Sequence, residues 1–216
     1  MNELEALGIE NIKPAEIEAR SFEIIGQELN MRKIIIPKEH ESIVKRAIHT
    51  TADFEYADTL KFSRNAVDII QELILDGADI VSDTNMALTG INKKVLAKFG
   101  GSAHCFMADE DVALEAKSRQ ITRAMVSMEK AMKLDKKVIF AIGNAPTALI
   151  ALWDAYSRGV YNPSFIIGVP VGFVNVEASK ELIINSDIPH IVNAGRKGGS
   201  NVAAAICNAV LYDLGR

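Results

Sequence analysis

The sequence predicts an α/β protein: a doubly wound parallel sheet of about five strands with an N-terminal helical extension. Three observations lead there. From about residue 77 onward, short apolar runs alternate with amphipathic helical patterns, and such alternation calls for a parallel sheet covered on both faces. Three of the runs are almost purely apolar, as strands buried on both faces should be. The first 76 residues, by contrast, read as helices.

In chain order, a helix is expected over about 14–30, opened by Pro14 at a first-turn position. A second follows Pro37 over 38–49, and a third spans 63–76 with Ser63 as its N-cap. The strands are "ADIVS" (78–82), "SAHCFM" (102–107), "KVIFAI" (137–142), "SFIIGV" (164–169) and "HIVNA" (190–194). Helices fill the intervals at roughly 91–99, 110–134, 146–158 and 175–185, and a last one runs from about 199 to 214. No fixed-period repeat, low-complexity tract or Pro/Gly/Ser-rich linker divides the chain. Residues 1–216 are therefore expected to form one domain, helical over about 1–76 and sheet-forming over about 77–216. Five such strands fit a flavodoxin-like or Rossmann-like arrangement.

Composition narrows the function. Of 216 residues, 49% are apolar and 24% charged, with a formal net charge of -4 and no basic cluster, so nucleic acid is not an expected partner. The acidic opening "MNELEALGIE" lacks the plan of an export signal. The longest apolar stretch, "VIFAIGNAPTALIALW", is interrupted by Gly143, Asn144 and Pro146, so no membrane span is expected. Cys105 and Cys207 sit in apolar neighbourhoods and read as buried reduced thiols. A cytoplasmic setting follows. His40, His49, His104 and His190 are scattered without metal-ligand spacing, and no nucleotide fingerprint or nucleophile elbow occurs. No cofactor and no protein-held metal are expected.

Ligands of open parallel sheets bind outside the carboxyl ends of the strands. Here those ends read "SDTNM" (82–86), "GNAP" (143–146), "VPVGF" (169–173) and "NAGRKGGSN" (193–201). Asp83, Asn144 and Gly198 stand in these turns as candidate ligand contacts. Arg196 and Lys197, with exposed amides at the start of the last helix, suit a carboxylate or phosphate. Taken singly, each turn also reads as an ordinary strand-to-helix connection. His49, in "RAIHTTADFEYADTL" (46–60), lies beyond the apolar arc of Ile43, Val44, Ala47 and Ile48. It is either a helix-end surface residue or a group available for chemistry.

Several segments resemble one family. "RSFEII" (20–25), "RAIHTTADFEYADTL", "SDTNMALTGI" (82–91), "AIGNAPTAL" (141–149), "IIGVPVGFVNVEASKE" (166–181) and "GRKGGSNVAAAICNA" (195–209) are similar to the precorrin-8X (cobalt-precorrin-8) methylmutases of cobalamin biosynthesis. The likeness runs from about residue 14 to the C-terminus. It implies a three-layer α/β/α, flavodoxin-like fold acting as a homodimer, and an isomerase that moves a methyl group on a tetrapyrrole from C11 to C12. No methyl donor is implied, because the methyl is already on the ring. The product would be hydrogenobyrinic acid, or cobyrinic acid when cobalt is in place.

The family's catalytic histidine falls on His49, which would protonate, or hydrogen-bond to, the ring beside the migrating methyl. Histidine as a residue type suits this, with an ordinary pKa of about 6.5. Ser21 matches an active-site serine, and the apolar arc of Ile17, Ile24 and Ile25 predicts that it points inward. A serine bonded to its own helix backbone is the plainer reading. Arg123 matches a substrate-holding arginine. It projects away from Ile121, Met125, Met128 and Met132, so a second subunit is expected to cover it. Positive charge for the substrate's carboxylates would come from Arg123, Arg196, Lys197 and backbone amides.

Two departures stand out: Ala52 stands where the family commonly has glycine, and Gln120-Ile121-Thr122-Arg123-Ala124 stands where it often has Gly-x-Thr-Arg-Ser. The segment "HTTADFE" is more similar to members that act with cobalt already inserted. Two rivals stay open: a non-catalytic corrinoid carrier of the same fold, and an enzyme using the Gly-rich turn before the last helix for a phosphate or nucleotide.

Overall fold

The computed structural model describes residue 7 and residues 10–215. Most of the acidic opening segment, in which no export signal is expected, lies outside them. Helix α1 (Ile17–Met31) follows a 3-10 turn at Pro14–Glu16, and α2 (Glu41–Thr51) follows another at Lys38–His40. The single turn α3 (Tyr56–Thr59) leads into β1 (Leu60–Phe62), then α4 (Ala66–Leu75) and β2 (Asp79–Ser82). Two short helices, α5 (Asn85–Gly90) and α6 (Lys93–Lys98), precede β3 (Ala103–His104). The chain continues through α7 (Glu110–Arg119), α8 (Arg123–Ala131), β4 (Val138–Ile142) and α9 (Pro146–Ser157). It ends with β5 (Phe165–Gly168), α10 (Val176–Ile184), β6 (His190–Asn193) and α11 (Ser200–Gly215).

The sheet order is β1-β6-β5-β4-β2-β3. The strands from β2 to β6 pair in parallel. Numbered among themselves they run 2-1-3-4-5, the flavodoxin-like order, whose switch point lies between β2 and β4. Alternate residues of one strand enter opposite cores, which makes the three layers. In β4, Ile139 and Ala141 join the core shared with α1, α2, α4 and α11. Val138, Phe140 and Ile142 join the core shared with α8 and α9. No described helix is long and apolar enough to cross a membrane.

The structure departs from the sequence reading in four places. β1 lies within the part expected to be helical, pairing antiparallel with β6 (Leu60↔Asn193, Phe62↔Ile191) as a sixth strand. Ser63 does not cap α4: its hydroxyl accepts the His190 N–H at 2.8 Å, tying the end of β1 to β6. The helix expected over 110–134 is broken, because Gln120 turns left-handed (φ 53°) to end α7 and the Thr122 side chain caps α8. Finally, Cys207 is buried but Cys105 only half-buried; both are free thiols.

Candidate active site

His49 lies in the last turn of α2, where Ala52 ends the helix in the left-handed conformation (φ 55°). Ile43, Val44, Ala47 and Ile48 bury the opposite side of that helix, leaving His49 exposed. Facing it across an open pocket of about 450 Å³ is α1. Ser21, Ile24, Ile25, Glu28 and Arg32 line one wall, and Ile48, His49, Ala52 and Phe54 the other. Ser21 and His49, far apart in sequence, therefore share one cavity.

The expected inward orientation of Ser21 holds only in part. Of its arc, Ile25 is buried in the core, whereas Ile17 and Ile24 are 52% and 45% exposed, and Ser21 itself is half-buried on the wall of the open pocket. The Ser21 hydroxyl donates to the Ile17 carbonyl at 2.9 Å, which leaves its oxygen free to accept from a ligand.

The imidazole is steadied from behind. The Phe22 ring stands 5.3 Å from it, tilted by 35°. The Arg46 guanidinium lies 4.8 Å from the centre of the same Phe22 ring and is ion-paired with Glu18. Arg32, which the sequence reading did not single out, supplies a cation in the pocket; it stacks over Phe54 at 4.3 Å and pairs with Glu28. Its signal in sequence was only a glutamate one helical turn earlier, which reads as a surface pair.

A second group of residues sits at the carboxyl edge of the sheet. Asp83 is fully buried, and its carboxylate accepts the N–H groups of Gly143 (2.9 Å), Asn144 (2.8 Å) and Ala145 (2.5 Å). Burial pushes its carboxyl up from the ordinary aspartate range, while those three amides pull it down. The side chain is thus committed to the turn before α9, and the exposed Asn144 is what this turn presents outward. Gly143 packs on Ser200, where a Cβ would lie 2.7 Å from the Ser200 Cα. Gly198 passes Val169 so closely that a Cβ would lie 2.0 Å from the Val169 carbonyl oxygen. The Gly199 N–H bonds that same oxygen at 2.9 Å.

The glycine-rich loop also connects to the His49 side. The Lys197 ammonium reaches Asp53 at 2.5 Å and Glu55 at 2.9 Å, just past the end of α2. Those carboxylates hold its pKa above the ordinary lysine value. Arg196 lies 5.5 Å over the Phe173 ring and bonds Glu177 at 3.2 Å. The Asn193 amide donates to the Lys197 carbonyl at 2.9 Å and accepts from Thr59 at 2.6 Å, joining the loop to the segment leading into β1. Arg123, at the first position of α8, is exposed and does not line the Ser21–His49 pocket. Its neighbour Thr122 bonds Thr147 at 2.9 Å, which places Arg123 on the Asn144 side of the sheet edge.

A family model for precorrin-8X methylmutase matches residues 16–213. The chain belongs to the precorrin-8X methylmutase family. Within it, the cobalt-precorrin-8 methylmutase of Salmonella typhimurium is 44% identical over 206 residues, spanning 94% of this chain and 96% of that protein. The precorrin-8X methylmutase of Pseudomonas aeruginosa is 33% identical, spanning 90% and 93%. The crystal structure of the precorrin-8X methylmutase of Thermus thermophilus superposes with a TM-score of 0.82 at 35% identity, covering 93% of this chain and all of that one. These relatives are isomerases by name. Among the described residues, no group of three or more His, Cys, Asp or Glu is placed to hold a metal ion.

Proposed function

We propose that this protein catalyses the methylmutase reaction: a ring methyl of a precorrin-8 tetrapyrrole leaves C11 and bonds to C12. His49, exposed in the pocket it shares with Ser21, is the observation that carries the reading. His49 lends a proton, or a hydrogen bond, to the ring beside the migrating methyl. Because the overall change is an isomerisation, the proton returns to His49 and nothing is consumed. The Ser21 oxygen accepts a hydrogen bond from the substrate or from the imidazole. Arg32, Arg196 and Lys197 meet the peripheral carboxylates, with Asn144 at the rim. Asp83 and Gly198 act through the backbone turns they shape.

The cobalt-loaded substrate is favoured, since the relative from Salmonella typhimurium and that of Priestia megaterium, 42% identical, are both named for cobalt-precorrin-8. The names of these relatives also weigh against the carrier reading. The setting we propose is the cytoplasm. The exposure of Arg123 supports a homodimer in which the partner covers this face; sedimentation showing only monomer at assay concentration would remove the dimer.

The deciding experiment is spectroscopic. The protein is mixed anaerobically with cobalt-precorrin-8, and separately with metal-free precorrin-8, and the same is done with His49→Ala. A colour change at constant mass is expected, with turnover falling about 100- to 10,000-fold in the variant, the usual size of a lost acid–base group. A stable coloured complex without conversion, identical in both proteins, would establish a carrier instead.

A further inference from the structure

Lys180 is fully buried, which is rare for an uncompensated lysine. It projects from α10 under the 195–199 loop. Its ammonium donates to the Gly195 carbonyl at 2.7 Å and to the Lys197 carbonyl at 2.8 Å. One turn earlier on the same helix, Glu177 holds the Arg196 side chain. The helix therefore grips the loop twice, Lys180 by its backbone and Glu177 by a side chain. Between the two gripped carbonyls the chain carries Arg196 and Lys197, whose side chains face outward.

We infer that Lys180 is the positioning residue of this loop, setting where Arg196 and Lys197 present their charge to the carboxylates of the substrate. The inference rests on the methylmutase reading for the identity of that substrate. The geometry explains why a lysine is used. Two carbonyl oxygens converge on one buried point, and a cation with several N–H groups satisfies both at once. A buried charge is also costly to desolvate, so packing alone would be served better by an apolar side chain. What a leucine or methionine could not do is hold both carbonyls. Gly198, pressed against Val169, leaves the loop no room to settle elsewhere without losing the Gly199–Val169 bond.

The test uses Lys180→Met and Lys180→Arg in the full chain, with two readouts. Amide hydrogen exchange of the ligand-free protein is expected to speed up at Gly199, whose N–H bonds the Val169 carbonyl, in Lys180→Met while β4 keeps its protection. In turnover of cobalt-precorrin-8, KM is expected to rise about tenfold or more with kcat changed less than about threefold, as loss of charge-assisted hydrogen bonds to a binding loop implies. Lys180→Arg keeps the charge but not the fit, and should show a smaller KM rise at near-normal stability. It carries the test if the methionine variant fails to fold. Unchanged loop exchange, or faster loop exchange with unchanged KM, would overturn the inference. So would a uniform loss of protection through the strands with kcat and KM intact, which is the signature of a merely structural lysine. Absence of turnover in the unmodified protein would instead sink the methylmutase reading, and the exchange pattern would still judge Lys180 on its own.

Discussion

Replacing Asp83 with asparagine should cost about 1.3–4 kcal/mol of stability, because one amide cannot do what the carboxylate does. Its Oδ1 accepts the Gly143 N–H and its Oδ2 accepts both Asn144 and Ala145. Asparagine offers one acceptor oxygen. If that oxygen serves the Asn144 and Ala145 pair, the NH2 group is turned against the Gly143 N–H. A buried N–H left without a partner costs about 1–3 kcal/mol, and Asp83 is fully buried, so water cannot step in. Loss of a negative charge facing the start of α9 adds about 0.3–1 kcal/mol. Urea unfolding near neutral pH is the assay: the midpoint should fall with the slope unchanged. A loss below about 1 kcal/mol would refute the reasoning, since it would mean that the group already carries a proton and is nearly isosteric with the amide.

Two further outcomes follow from the backbone and from burial. Ala52 and Gln120 adopt φ of 55° and 53° without being glycine. The left-handed conformation costs an L-residue about 1–2 kcal/mol, and glycine returns roughly half of that as unfolded-state freedom. Ala52→Gly and Gln120→Gly should therefore each stabilise by about 0.5–1 kcal/mol, read from thermal or urea midpoints; a loss in both would sink the argument. Burial pushes the Lys180 ammonium from 10.5 down to about 8. Between those values the unfolded chain binds more protons than the folded one, so stability should rise with pH across that window, and the full cost of burying the charge is present below it. The difference between wild type and Lys180→Met, measured from pH 7 to 10.5, should show that rise. A flat difference would place the Lys180 pKa at its ordinary value.

The sequence by itself determined what depends on neighbours along the chain. β4 and β5 were legible because strands buried on both faces must be continuously apolar, and α9 because Pro146 opens it. His49 was legible as the residue beyond an apolar arc, and the chemistry proposed for it rests on the family resemblance. Tertiary structure decided the rest. β1 is three residues long and is a strand only because β6 lies beside it. The break at Gln120 carries no glycine or proline to announce it. Ser21 sits in an apolar arc that turns out to face a pocket, and Arg32 joins that pocket from the end of the same helix. Lys197 reaches Asp53 across 144 residues of sequence, and Lys180 disappears beneath a loop that starts 15 residues further on. Periodicity reports which side of an element is apolar. Whether that side meets a core, a cavity or a loop is set by the packing of elements distant in sequence, which no local pattern encodes.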